Sequence, residues 1–324
     1  MKHIQFSRPE FEIDSHDLEE IKTIFTGGWV CLSKYTKSLE NYFKETTGAK
    51  YALACSTATQ GLIIAVRAAG WTKKRVCLSA FTWPSTLLAL EYNGCEPIWC
   101  DINKDTWLID EIPQFTLREN PEAILAVDTF GNQFEMETDL PLIIDAAHGF
   151  GLPNLGKRGI CEIVSLSFTK LISAGQGGII LTSDRKVYEE ALELVKVSAK
   201  MLEISAYITL KEIEKYEEKV KIRNRVINKY REFIKVPYKE QRVPSTTNNS
   251  VFSILLEDQK TRDHIAQNFE KNNVEAKVYY EPIFRGLPKT EDVFSRVISL
   301  PIYSGIENDV EFICSLINDT QRKI

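Results

Sequence analysis

The chain has 324 residues, of which 44% are hydrophobic and 26% charged, a mixture typical of a folded globule that excludes disorder as the main state. Its 40 Lys and Arg residues and 45 Asp and Glu residues give a net charge of −5, which argues against general nucleic-acid binding. Because a domain typically holds roughly 100–200 residues, this length predicts two domains.

Several classes of segment and site are missing from the sequence. No stretch reaches the roughly 18 uninterrupted apolar residues that a membrane helix needs, and the N-terminus lacks the apolar core of a signal peptide. The seven cysteines are odd in number and form no Cys-x-x-Cys pair, and the four histidines form no His-x-x-x-His pair. We therefore expect a reduced, cytoplasmic protein without a metal site.

The first two thirds of the chain alternate short apolar runs with amphipathic stretches. The predicted strands are 51–54, 76–79, 97–100, 123–127, 142–144, 163–167 and 179–182, with helices at about 57–69 and 84–92. Strands that are apolar on both faces and separated by helices predict a three-layer α/β fold with a mostly parallel sheet. Ligands bind beyond the carboxyl ends of such strands, so functional residues should directly follow the apolar runs.

The residue pattern changes after the last of these strands. Residues 186–235 are charged and helical in pattern, and we interpret them as a surface or linking helix with a solvated face. A polar run at 242–250 indicates a boundary. Beyond it, strands at 250–256, 275–280 and 297–300 and helices at 259–272 and from about 307 predict a smaller α+β unit. The predicted domains are thus 1–235 and 236–324.

Two motifs follow the first two strands. Ser56, Thr57 and Ala58 lie between a strand and a helix, where free N–H groups and the helix dipole favour a phosphate, although for this motif alone a plain helix cap is the simpler interpretation. Trp83 lies in Phe-Thr-Trp-Pro after the second strand. Its ring could stack on a flat ligand, but by itself a core position is the simpler interpretation.

Two further motifs hold ionisable groups. Asp145 ends a buried apolar run in Asp-Ala-Ala-His, where a carboxylate needs a positive or hydrogen-bonding partner, and His148 follows three residues later. Lys170 follows the run that contains Ser165 and precedes a glycine-rich turn. Burial there would lower the pKa of the lysine and make it nucleophilic. Taken singly, each of these residues could be structural.

The four motifs together fit one cofactor. Pyridoxal phosphate needs a lysine for a Schiff base, a carboxylate at its ring nitrogen, a phosphate site and an aromatic ring to stack on. The sequence supplies each of these at a predicted strand end. A nicotinamide enzyme is disfavoured, because no Gly-x-Gly-x-x-Gly follows the first strand.

The order of these motifs, with Ser-x-x-x-x-Lys-x-x-x-x-Gly-Gln-Gly-Gly last, resembles the DegT/DnrJ/EryC1/StrS sugar aminotransferases. The resemblance extends from Gly27-Gly28-Trp29 to Ser299-Leu300-Pro301-Ile302-Tyr303 and implies fold type I of the pyridoxal-phosphate enzymes. It implies a homodimer that moves an amino group from L-glutamate to a keto group of a nucleotide-linked sugar.

The resemblance also implies a role for each matching residue. Lys170 would form the Schiff base and Asp145 would pair with the pyridinium nitrogen. His148 would lie near the phenolic oxygen, and Trp83 would stack on the ring. Thr57, Ala58 and Ser165 would bind the phosphate.

The chain departs from the family pattern at Ser56, where Gly is common, at Gln176, where an acidic residue is common, and in one further segment. Between Gly178 and Glu203 it is shorter than usual, and Ser198-Ala199-Lys200 stands where the family commonly has Asn-x-Arg. This puts the contact across the subunit interface in question. Two alternatives therefore stay open: a pyridoxal-phosphate sugar enzyme of another type, such as a dehydratase, whose relatives typically lack the lysine, and a non-catalytic regulatory member.

Overall fold

The computed structural model of the chain describes residues 2–8, 10–112, 120–243 and 245–319. Among these residues, seven strands form one large sheet in the order β1-β7-β6-β5-β4-β2-β3. The strands are Tyr51–Cys55 (β1), Arg75–Ser79 (β2), Glu96–Cys100 (β3), Ala123–Val127 (β4), Leu142–Asp145 (β5), Cys161–Ser165 (β6) and Gly178–Thr182 (β7).

Six of the seven strands run in the same direction, and only β7 runs antiparallel to its two neighbours. Strands β4, β6 and β7 are almost entirely buried, as expected for a sheet covered on both faces. The carboxyl ends of β1, β5 and β6 therefore meet at one edge, together with the first residue of β7. The predicted mostly parallel α/β sheet is confirmed.

Helices cover both faces of this sheet. One face packs against α3 (Ala58–Ala68), α4 (Pro84–Tyr92) and α5 (Arg185–Ser198), and the other packs against α2 (Lys34–Thr47) and α6 (Glu203–Glu214). Helix α1 (Ser15–Thr26) contacts α6. The single predicted helical segment at 186–235 is three helices, α5, α6 and α7 (Tyr216–Phe233).

A second, antiparallel sheet has the order β10-β9-β8 within the described residues. Its strands are Tyr238–Glu240 (β8), Phe252–Leu256 (β9) and Val297–Leu300 (β10), and it packs with α8 (Gln259–Lys271) and α10 (Val310–Asn318). Helix α9 (Pro288–Arg296) precedes β10. The C-terminal half of α7 contributes Val226, Ile227 and Tyr230 to this second core. The division at residue 235 stays a prediction.

The predicted strand at 275–280 is wrong. Val274 forms an isolated bridge with Ile4, and Lys277 forms another with Ser299. The two bridges lead to different parts of the chain. Between them, the Glu275 N–H donates to the Ile4 carbonyl, and the Glu275 carboxylate accepts from the Phe6 N–H. A regular ladder cannot continue across this divergence, so the segment stays irregular.

No helix of the described residues is long and apolar enough to cross a bilayer.

Candidate active site

Lys170 lies in the turn after β6, at the edge where the carboxyl ends of the strands meet. Its Nζ is 2.7 Å from Nε2 of His148, and its backbone N–H donates to the carbonyl of Ser167. Loss of solvation lowers the pKa of Lys170 to about 8, and the negative charge of Asp145 opposes this shift. A substantial fraction of this amine is therefore neutral, and hence nucleophilic, near physiological pH.

Asp145 is the last residue of β5 and is 4% exposed. Burial raises the pKa of its carboxyl to about 6, while the Ala147 N–H, 3.0 Å from Oδ1, and the charge of Lys170 favour the ionised form. Within the described part of the chain, no lysine, arginine or histidine nitrogen forms an ion pair with this carboxylate. Asp145 is thus a buried acid that is available to a cationic ligand atom.

His148 connects Lys170 to the second half of the chain. Its Nδ1 is 2.8 Å from Oγ of Ser250, and the Tyr280 hydroxyl is 3.4 Å from Nε2. Burial and the charges of Lys170 and Arg223 hold the pKa of His148 well below its usual value. The imidazole is therefore neutral. When its Nδ1 carries the proton and donates to Ser250, its Nε2 accepts from Lys170.

The backbone of His148 is held as firmly as its ring. The side-chain amide of Asn248 donates to the carbonyls of His148 and Phe150. The turn after β5 is thereby fixed to the segment before β9, which orients the imidazole toward Lys170.

The turn after β1 has the geometry of an anion site. Thr57 is the N-cap of α3, and its Oγ1 accepts from the Gln60 N–H at 3.1 Å. The first residue of β7 lies directly against this turn: a Cβ on Gly178 would come within 2.7 Å of the Ala58 nitrogen. Ser165 lies opposite Gly178 in the sheet. The three residues predicted to bind phosphate therefore lie at the same edge.

The shortened segment lies against this turn within the same protomer. The Ser56 N–H donates to the carbonyl of Ala199 at 2.8 Å, and Lys200 forms a bridge with Cys55. The exposed Lys200 thus stands beside the phosphate turn.

Trp83 is 57% exposed and caps the N-terminus of α4. Its ring meets Tyr279 edge-on, with 6.3 Å between centroids. The core position that seemed simpler from sequence alone is wrong, because the side chain points away from the sheet–helix interface. An exposed ring face is what stacking on a flat ligand requires.

Sequence reasoning missed Ser250, Tyr280 and Arg223, which surround His148. Ser250 and Tyr280 lie in irregular segments that carry no periodic signal. Arg223, by contrast, could have been found from the helical periodicity of the sequence. It lies three or four residues before Val226 and Ile227, on the apolar face of α7, which the charge of the segment obscured.

Comparisons with known proteins agree with this site. The model of the DegT/DnrJ/EryC1/StrS aminotransferase family matches residues 12–318. The chain is similar to GDP-perosamine synthase from Escherichia coli O157:H7, with 24% identity over 98% of this chain and 99% of the relative.

Two solved structures share the fold. DesI, solved in the presence of its TDP-sugar product, has a TM-score of 0.89 and 23% identity, covering 100% of this chain and 94% of its own. Spr1654 from Streptococcus pneumoniae, solved in a PLP-form, has a TM-score of 0.86 and 18% identity, covering 99% of each chain. With its family model matched over most of its length, this chain belongs to the DegT/DnrJ/EryC1/StrS aminotransferase family.

The aminotransferases of this family use pyridoxal phosphate, and the residues present fit it. The edge offers a nucleophilic lysine, a buried carboxylate without an ion pair, an exposed aromatic face and a helix N-terminus against which only glycine fits at position 178. These groups match, in that order, the aldehyde, the pyridinium nitrogen, the ring face and the phosphate of the cofactor.

Proposed function

We propose that this enzyme transfers the amino group of L-glutamate to a keto carbon of a nucleotide-linked sugar. The observation that carries the proposal is the contact between the amine of Lys170 and neutral His148, beside the unpaired carboxylate of Asp145. The substrate class is supported by the relatives, one named a GDP-perosamine synthase and one solved with a TDP-sugar product.

In this proposal Lys170 would join the aldehyde of pyridoxal phosphate, and Asp145 would hold the pyridinium nitrogen. His148 would lie at the phenolic oxygen and Trp83 against the ring. The phosphate would bind Thr57, Ala58 and Ser165. When bound, the cofactor supplies an electron sink for the carbon from which a proton is removed.

Lys170 is also the group that moves this proton. With a pKa of about 8, its amine accepts a proton as a base and returns it as an acid at physiological pH. The Lys170–His148–Ser250 hydrogen bonds hold Nζ in one place while its charge changes. The neutral imidazole of His148 stabilises the ammonium form of Lys170 by accepting a hydrogen bond from it. A positively charged imidazole would instead repel the ammonium group.

The proposal includes a homodimer. Trp29, Val197 and Leu202 are 75%, 85% and 48% exposed. Leu202 forms a bridge with Cys31, in the same part of the chain as Trp29, and the Lys200 bridge places this surface next to the phosphate turn. Large apolar side chains exposed beside a site are typical of a subunit interface. A reducing, cytoplasmic setting is also proposed, and it fits the seven free thiols.

The test is Lys170→Ala, with Lys186→Ala, an exposed lysine at the start of α5, as the control. We expect the native protein and the control to absorb light as the lysine imine and to release 2-oxoglutarate from L-glutamate when a keto-sugar nucleotide is supplied. The Lys170→Ala variant should lose both signals because, among the described residues, only Lys170 places an amine against His148.

Turnover that survives Lys170→Ala would contradict the assignment of the lysine. A native protein that binds the cofactor and consumes the sugar without producing 2-oxoglutarate would favour a dehydratase-like reaction. A native protein that does not bind the cofactor would favour a regulatory role.

A further inference from the structure

Arg223 is a buried cation without a counter-ion. Among the described residues, three lysines and arginines are less than a tenth exposed, and two of them have carboxylate partners: Lys219 pairs with Glu212, and Arg262 pairs with Asp263 at 2.6 Å. Arg223, 7% exposed, has no carboxylate within 4.0 Å in the described part of the chain. An unpaired buried charge is strongly unfavourable, so this arrangement needs an explanation.

The hydrogen bonds of Arg223 leave its charge uncompensated. One terminal nitrogen donates to the carbonyl of Ser250 at 3.1 Å, while the buried Nε has no partner. The charge of Glu10 raises the pKa of Arg223, but that carboxylate already accepts from the backbone N–H and the hydroxyl of Ser304 and faces Lys219. Burial correspondingly lowers the pKa of Arg223.

Arg223 lines the same cleft as Lys170. The charged residues that line this cleft are the cations Arg8, Lys170, Lys219 and Arg223 and the acids Glu10 and Glu212. The acids are both used by Lys219, so the cleft keeps a positive excess. An anion that enters beside Lys170 would therefore meet a net positive charge.

We propose that Arg223 binds the α-carboxylate of the amino-acid donor. In any amino acid the α-carboxylate and the amino group share one carbon atom, so an anion subsite in the cleft that holds Lys170 is within reach when the amine arrives there. A phosphate of the nucleotide is separated from the keto carbon by much of the sugar ring. The planar fork of arginine matches a carboxylate in a way that a point charge does not.

This inference rests on the proposed transamination, but it can fail separately. The probe is the donor half-reaction, in which the loss of imine absorbance is titrated with an amino acid in the absence of any sugar. Arg223→Gln is compared with Arg223→Lys and with the control Arg225→Gln, whose side chain is 62% exposed on the same helix. If the native protein does not react with any amino acid, the proposed function has failed, whatever Arg223 does.

L-Glutamine and L-isoglutamine distinguish the two carboxylates of glutamate, because glutamine keeps the α-carboxylate and isoglutamine keeps only the side-chain one. We expect Arg223→Gln to weaken saturation by glutamate and by glutamine roughly 10- to 100-fold, the range for a charge-assisted contact. The native protein should discriminate against isoglutamine to a similar degree, and the variant should not.

Two further readouts separate binding from a structural role. Arg223→Gln should not lower the melting temperature, because it removes an unpaired buried charge, and Arg223→Lys should give an intermediate affinity. The sugar half-reaction should be affected much less than the donor half-reaction in both variants. An unchanged affinity for glutamate in Arg223→Gln, an equal loss in both half-reactions, or an equal loss for isoglutamine would overturn the inference.

Discussion

Two clusters of buried charged residues lie close together in this protein. They differ in whether their charges form ion pairs with each other. In the first, Arg158 donates to Asp128 at 2.7 Å and to Glu162 at 2.6 Å, so every charge has a partner. In the second, Lys170, Asp145 and Arg223 have no ion pair within 4.0 Å among the described residues, although Lys170 and Asp145 interact at longer range. The charges of the first cluster are paired within the protein, and those of the second are the ones that we propose pair with ligands.

The paired cluster also stabilises the unpaired one. The Oδ1 of Asp128 accepts from the Phe134 N–H at 2.8 Å as well as from Arg158, and the backbone N–H of Asp128 donates to the carbonyl of Asp145. The negative charge of Asp128 contributes to the raised pKa of Asp145. The paired charges of the first cluster therefore hold the backbone in place. The unpaired Asp145 and Lys170 keep shifted pKa values, as is common for reactive groups.

The largest effect on stability is expected for Arg158→Met. This change leaves two buried carboxylates facing each other, and we expect the free energy of unfolding to fall by about 3–5 kcal/mol, as measured by denaturant titration. The matched control is Arg185→Met, which breaks the exposed 2.7 Å pair with Glu189 and should change stability by less than about 0.5 kcal/mol. Equal effects of the two variants would remove the distinction between the clusters.

The next effect concerns pH. Because burial lowers the pKa of Lys170 from 10.5 to about 8, the neutral amine becomes available more than two pH units below a free lysine. Formation of the imine with added pyridoxal phosphate should therefore increase through a midpoint near pH 8 and level off above it, as followed by absorbance. Since the charge of Asp145 raises the pKa of Lys170, Asp145→Asn should move the midpoint to lower pH. A midpoint near 10.5 would show that Lys170 is an ordinary solvated lysine.

The smallest effect is expected for Trp83→Ala. Loss of one stacking face corresponds to roughly 0.5–1.5 kcal/mol, so the affinity for pyridoxal phosphate should fall about 2- to 12-fold. The control is Tyr92→Ala, which removes a ring that is 71% exposed at the other end of the same helix. An unchanged affinity in Trp83→Ala would show that the exposed ring serves the sugar or the subunit interface instead of the cofactor.

The sequence predicted the site residues that follow strands. Thr57, Asp145 and Lys170 each come directly or shortly after a short apolar run, and parallel strands place their carboxyl ends at one edge whatever the details of packing. It could not predict the side chains contributed by irregular segments. Ser250 and Tyr280 reach His148 from positions 102 and 132 residues away, and no local pattern encodes such a contact.

Local sequence determined the order of strands and helices, the chemistry at the strand ends and the family, because hydrophobic periodicity and short motifs act over a few residues. Only the tertiary structure decided which charges are paired. Arg158 and Arg223 have the same side chain, yet among the described residues one pairs with two carboxylates and the other with none. That difference arises from where distant segments come to lie in the fold, and it separates charges that are paired within the protein from those that we propose bind its ligands.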